Sequence, residues 1–249
     1  MESKLERERV FHNKTFAEDT RMVVDMFYKI TENSRRFYQA ALLIDCARRK
    51  VLEFGCGPDG EAFTLAERGA SVDGIDISEI AIQKAIAKGM VKDLSANLNF
   101  QVMNAEDLRF ADNTFDVVCG SGILHHLDLS KIRLEITRVL KPNGRAVFLE
   151  PLGHNFLINW YRNHTPHLRT EDEHPLLKRD LESMKECFTD VKVTPFHLCS
   201  LGAAPFWRMR GFDTVLGFCE GLDRLLFKSK LVSLQAWQVV IEMSAPRKG

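Results

Sequence analysis

The chain has 249 residues, enough for one large domain with its own core or for a domain with an appended cap. Hydrophobic residues make up 45% of it and charged residues 27%, and 34 basic side chains balance 34 acidic ones. That neutrality leaves no electrostatic footprint for a nucleic-acid partner, and no apolar run approaches the ~20 residues of a transmembrane segment.

The opening "MESKLERERV" carries both signs of charge and lacks the apolar stretch of a signal peptide. Residues 1–46 read as a helical cap. Phe27, Ile30, Phe37, Tyr38, Ala41, Leu42 and Cys46 recur at spacings of three and four, and Thr31 or Asn33 is placed to divide the segment. The pattern then changes to short apolar runs at 50–55, 71–76, 98–103, 115–120 and 145–150, with helix-like stretches between them. Ser78 caps the helix after the second run and Gly89 is placed to end it, while "KPNG" (141–144) reads as a turn. This alternation predicts an α/β fold, a parallel sheet wrapped by helices. Beyond residue 150 the alternation fails. Residues 190–198 and 234–244 read as two further strands, and the stripe Phe212, Val215, Leu216, Cys219, Leu222, Leu225, Leu226 reads as a core-facing or lid helix.

The six cysteines (46, 56, 119, 187, 199 and 219) form no Cys-x-x-Cys pair, so reduced thiols in a cytoplasmic protein are expected. The chemistry centres on "VLEFGCGPDG" (51–60). Gly55, Gly57 and Gly60 end a strand and open a helix, the pattern that lets a ligand approach the backbone, and Asp76 ends the next strand. Glu53 puts a carboxylate two residues before the first glycine, suited to support the loop or to accept from a cationic ligand tail. Cys56 lies inside the loop as a buried thiol. "NAEDL" (104–108) and "CGSGILHHL" (119–127) follow the third and fourth strands and offer backbone groups to the same crevice.

"LEFGCGP", "GIDIS", "NAEDL" and "SGILHHL…ITRVLKPNGRAVFLEP", in this order, make residues 50–150 resemble the class I S-adenosylmethionine (SAM)-dependent methyltransferases, particularly the broad bacterial group acting on small molecules. The resemblance implies a Rossmann-like seven-stranded sheet, mostly parallel with an antiparallel last strand, helices on both faces, and the 1–46 helices as an N-terminal cap. Residues 47–249 would form the SAM domain, with 151–189 and 199–233 as lid insertions on the acceptor side. SAM would be the cofactor and S-adenosylhomocysteine the product. The glycine loop would cradle the methionine portion of SAM, Asp76 would take the ribose hydroxyls and Ile77 would flank the adenine. Asn104, Ala105 and Glu106 would read the adenine edge, and Gly120 and Ser121 would line the methionine side. The family usually has glycine at position 59 and often aspartate at 104. Asp59 implies altered loop geometry, and Asn104 keeps a carbonyl acceptor.

Tyr28 is placed to close the cofactor site from the N-terminal cap. Of the paired histidines, His125 comes first after the loop and is expected to face the pocket, with Glu150 and His154 nearby, as the groups that orient or deprotonate the methyl acceptor. Phe11, Phe16, Phe27, Phe37, Trp160 and Trp207 suggest an apolar or aromatic acceptor, methylated on oxygen, nitrogen or carbon. A homodimer is left open. Four histidines (154, 164, 167 and 174) fall within residues 150–176, but Pro166 interrupts the closest pair and methyl transfer needs no metal, so none is expected. Two alternatives remain. Gly55-x-Gly57-x-x-Gly60 also fits an NAD-dependent oxidoreductase, although no Tyr-x-x-x-Lys pair stands at a suitable place; a SAM-fold protein that binds cofactor without methylating is the other.

Overall fold

A computed structural model describes residues 4–18, 29–165, 170 and 173–248. Its seven strands are β1 (Lys50–Phe54), β2 (Ser71–Asp76), β3 (Leu98–Val102), β4 (Phe115–Ser121), β5 (Leu140–Pro151), β6 (Phe188–Phe196) and β7 (Gln238–Pro246). They form one sheet in the order β3-β2-β1-β4-β5-β7-β6. β1 to β5 pair in parallel, and β7 runs antiparallel to both β5 and β6. The chain starts in the middle at β1, winds outward to β3, then returns to lay β4 against the other side of β1. Such a reversal opens a crevice at the carboxyl ends of the strands.

The described helices are α1 (Lys4–Glu18), α2 (Glu32–Leu43), α3 (Ala62–Glu67), α4 (Glu79–Val91), α5 (Leu129–Val139), α6 (Phe156–His164), α7 (Lys178–Cys187), α8 (Phe212–Leu226) and α9 (Lys230–Ser233). Tighter 3₁₀ turns cover Leu124–His126 and Cys199–Phe206. Neighbouring residues on a strand point to opposite faces. Val51 and Val147 therefore join Tyr38, Leu42, Phe63 and Ile82 in one core under α2, α3 and α4. Leu52 and Phe148 join Ile132, Ile136 and Met184 in the other, under α5 and α7. Both cores are needed because the central strands have no wet face, which is why their sequences read as continuous apolar runs.

Several expectations are corrected in detail. Gly89 does not end its helix. α4 runs on to Val91, and Gly89 sits where a Cβ would lie 3.5 Å from Leu98, so it serves close packing on β3. "KPNG" is absorbed as an irregularity within β5: Phe115 pairs with Leu140 and Val117 with Arg145, so residues 141–144 bulge out of register. The last strands lie at 188–196 and 238–246, because His197 turns left-handed (φ 65°) and α9 with its turn occupies the approach to β7. The α8 stripe is not a core face among the described residues. Phe212 is buried, but Val215, Phe218, Leu222, Leu225 and Leu226 are exposed. The Arg145 guanidinium donates to the carbonyls of Ala41, Leu42 and Ile44 at the end of α2.

Candidate active site

Three strands end in a carboxylate, and each carboxylate clamps the backbone of a neighbouring loop. Glu53, at the end of β1, accepts from the N–H groups of Glu61 and Ala62 at 2.7 and 2.8 Å, which caps α3 and closes the glycine loop. Asp76, ending β2, accepts from Gly57 and Ser78 at 3.0 and 2.8 Å. Glu150, on β5, accepts from Ile123 and Leu124 at 2.9 and 2.8 Å with one oxygen and meets His125 Nδ1 at 2.8 Å with the other. Burial pushes the Glu53 carboxyl up to about 8, against the downward pull of its two backbone donors.

The loop between β1 and α3 explains its own glycines. Gly55 and Gly57 have φ of 57° and 52°, the left-handed region that a side chain resists. Gly60 is needed for space: a Cβ there would lie 2.4 Å from the Cys56 carbonyl and 2.7 Å from both Glu53 oxygens. The family glycine missing at Asp59 is thus not replaced in conformation by Gly60. Asp59 instead faces outward and pairs with Lys88 at 2.6 Å.

Beyond the loop lies a cavity of about 770 Å³. Gly55, Asp76, Ile77, Asn104, Ala105, Glu106 and Ser121 line it. Glu53, Cys56, Gly57 and Gly120 do not; they stand behind its wall. Gly120 is there because a Cβ would meet Ile123 at 2.7 Å, and Cys56 is a buried thiol that burial pushes up. Tyr28 lies outside the described residues. The Asn104 side-chain oxygen accepts from the Glu106 N–H at 3.0 Å, so the carbonyl expected to read a ligand also holds its own turn. Glu106 in turn accepts from the Asp128 N–H at 2.7 Å.

α1 lies across this cavity and forms part of its wall. Phe16 faces Gly57, its ring 3.6 Å from where a Cβ would stand. Lys84 of α4 donates to the Phe16 carbonyl at 2.6 Å, and the Ser78 hydroxyl meets the Asn13 side-chain oxygen at 2.6 Å. Further along the same helix, Glu8 and His12 reach the cavity beside His126. Burial pushes the Glu8 carboxyl up, but His12, His126 and Thr170 outweigh it and hold it well below the usual carboxylate range.

The histidines are arranged differently from the expectation. His126, not His125, lines the cavity. His125 is buried behind it, fixed between Glu150 and, at 3.6 Å, Glu173. The two rings stack with centroids 4.2 Å apart. His154 is away from the cavity, where its Nε2 accepts from the Lys178 N–H at the start of α7. Of the histidine-rich stretch only His174 reaches the cavity among the described residues, held by its N–H to the His125 carbonyl at 2.9 Å. His164 packs on Trp160 instead, and His167 and Arg169 lie outside the described residues. Of the aromatics expected around an acceptor, Phe16 lines the cavity; Phe37 packs on Phe196, and Trp160 is exposed on α6. Phe27 is outside the described residues. The lining is instead rich in polar groups, among them Arg179, Asp180 and Lys131, which lies 3.6 Å from Glu106.

One signal for the missed residues was present in the sequence. Glu8 and His12 stand four apart, so a helix brings them to one face. The 3₁₀ turn at Leu124–His126 was not legible, and it decides which histidine faces inward.

Residues 52–148 match the family described as "Methyltransferase domain". A glycine/sarcosine/dimethylglycine N-methyltransferase of Actinopolyspora halophila is 32% identical over 126 residues, covering 49% of this chain and 22% of its own. A ubiquinone/menaquinone biosynthesis C-methyltransferase of Geotalea daltonii is 34% identical over 105 residues, covering 41% of this chain and 45% of its own. The chain thus spans less than half the length of these curated relatives. Among solved structures, phosphoethanolamine N-methyltransferase 2 of Haemonchus contortus superimposes with a TM-score of 0.65 at 17% identity, over 99% of this chain and 61% of that one. At that identity the likeness shows the fold.

Proposed function

We propose that the chain is a class I SAM-dependent methyltransferase, a reading supported by the family match over residues 52–148, and that it moves a methyl group from SAM to an oxygen or nitrogen atom of a small polar molecule held beneath α1. The observation that carries this reading is the character of the cavity's far end, where Glu8, His12 and His126 meet under α1.

The near end suits SAM. Asp76 stands in the cavity wall with its carboxylate oriented by the Gly57 and Ser78 N–H groups, and a carboxylate so placed can accept from a ribose hydroxyl. Ile77 and Ala105 provide apolar contact beside it, and the left-handed Gly55 brings main chain to the surface of the cavity. Bound SAM supplies a methyl group already activated by its sulfonium. The chain's task is then alignment, which can contribute ~7–11 kcal/mol to such a displacement. Phe16 and α1 exclude water from the loop side. At the other end, an acceptor hydroxyl or ammonium must lose a proton, and imidazole is the side chain suited to lowering that cost near neutral pH. His126 supports this role, with the Glu8 carboxylate 3.3 Å from its Nδ1.

The test is incubation with methyl-labelled SAM and a panel of small acceptors. Label on the oxygen or nitrogen of polar acceptors is expected; label confined to carbon, or to apolar acceptors, overturns the reading.

A further inference from the structure

Glu8 and His12 stand one turn apart on α1, and His126 comes from the 3₁₀ turn after β4. Glu8 Oε2 lies 3.4 Å from His12 Nε2 and 3.3 Å from His126 Nδ1, and all three atoms lie within 4.8 Å of one another. The other Glu8 oxygen accepts from the Thr170 hydroxyl. Glu8 is only 4% exposed, yet its Oε2 and the Nδ1 of His126 are both buried without a hydrogen bond of proper direction. A buried carboxylate oxygen left in that state is costly, and the cost falls if a cation sits at the point on which the three atoms converge.

Their spacing fits such an ion. A tetrahedral cation with bonds of about 2.0–2.1 Å keeps its ligands about 3.4 Å apart. Two of the three edges already have that length, and the third falls within the 4.8 Å that encloses the set. The supporting contacts also match a metal site. Thr170 orients the carboxylate, Phe16 stacks on His12, and the His126 ring rests on His125, itself fixed by Glu150. All three candidate ligands line the cavity, so the remaining coordination positions open toward it. Two imidazoles and one carboxylate suit Zn²⁺ and its transition-series neighbours, whereas Mg²⁺ and Ca²⁺ favour all-oxygen sets.

We propose that Glu8, His12 and His126 bind a divalent transition-series cation such as Zn²⁺, which holds the nucleophilic atom of the methyl acceptor. With the ion bound, His126 acts as its ligand and the ion takes over the task assigned above to the free imidazole: it lowers that atom's pKa, and the proton leaves to solvent before transfer. The second half rests on reading this end of the cavity as the acceptor side; binding of the ion does not. The ligands lie outside the histidine-rich stretch where the sequence suggested looking, and they join two segments more than a hundred residues apart.

The test strips the full chain with a chelator and titrates it with Co²⁺, read by visible absorption, and with Zn²⁺, read by calorimetry; Mg²⁺ runs in parallel. One equivalent of Co²⁺ or Zn²⁺ is expected, with no thiolate charge-transfer band and no comparable uptake of Mg²⁺. His12→Gln and Glu8→Gln are each expected to weaken it at least ~10-fold, with circular dichroism showing the fold retained, while the exposed His164→Gln leaves it unchanged. If Glu8→Gln does not fold, His12→Gln alone decides. Absence of binding, or binding indifferent to His12→Gln, overturns the site and leaves an imidazole–carboxylate pair. Binding lost in these variants upholds it even if no acceptor is methylated, an outcome that would overturn the methyl-transfer reading alone. Full methylation by the stripped protein overturns the ion's role with the acceptor.

Discussion

Around the glycine loop, Glu53, Asp76 and Glu150 each hold two backbone N–H groups. Across the same cavity Glu8 holds one hydroxyl and turns its other oxygen toward two imidazoles. The first side is main chain fixed by carboxylates rooted in the sheet. The second is side chains drawn from α1, the turn after β4 and the segment around residue 174. A cofactor common to a whole family can be met by backbone geometry; an acceptor that differs between members must be met by side chains on mobile attachments.

The sharpest way to break this division is His126→Ala. Turnover should fall by ~10²–10⁴, the usual worth of a group that handles a proton, with SAM affinity unchanged by calorimetry. An equal loss of SAM affinity would move His126 to the cofactor side. His125→Asn is the companion measurement: it removes a buried partner of Glu150 and should cost ~1–3 kcal/mol of stability, with the smaller effect on turnover. Asp76→Ala comes next and should lower SAM affinity on the order of 100-fold, because charge-assisted bonds are worth ~1.5–3 kcal/mol each. If affinity holds, the ribose is not recognised there.

A third test concerns the acceptor-side scaffold rather than the cavity. Burial pushes His197 down to about 4 from 6.5; it sits between the hydroxyls of Ser34 and Ser200, with Asp223 behind Ser200. Below pH 6.5 the unfolded chain takes up a proton that the folded one refuses. Stability should therefore decline as pH falls from 6.5 toward 4, by up to about 3 kcal/mol, and this component should be flat above 6.5. Denaturant unfolding at pH 7 and pH 5 measures it, and the same slope in His197→Gln would assign it elsewhere. Glu53 works the other way: the folded chain holds a proton the unfolded chain has lost, so its contribution to stability declines as pH rises from 4.5 to about 8. The smallest effect expected is Phe16→Ala, roughly tenfold in SAM affinity from lost apolar contact. No change would mean that α1 covers the acceptor without touching the cofactor.

Much of the cofactor side was legible because its requirements are local. Positive φ selects Gly55 and Gly57, burial on both faces selects the apolar runs of β1 and β4, and Ser78 accepts from the Ala81 N–H as its position before the helix predicted. The acceptor side depends on facts that no short window contains. Whether His125 or His126 points inward is set by a single 3₁₀ turn pinned by Glu150, 24 residues beyond His126. The apolar acceptor wall was misjudged because Phe37 is claimed by Phe196 and Trp160 by His164, partners visible only in the folded chain. The α8 stripe has helical periodicity but no described neighbour to cover it, so periodicity alone did not report burial.

Ser78 belongs to two structures at once. Its N–H is held by Asp76 and its hydroxyl meets Asn13 of α1 while capping α4. The proposed seat of the ribose and the anchor of the covering helix are therefore one mechanical unit. Thermodynamic linkage then runs both ways: a ligand that steadies Asp76 raises the population with α1 docked, and docking of α1 raises affinity for that ligand by the same factor. Departure of the spent cofactor becomes a question of how often α1 lets go.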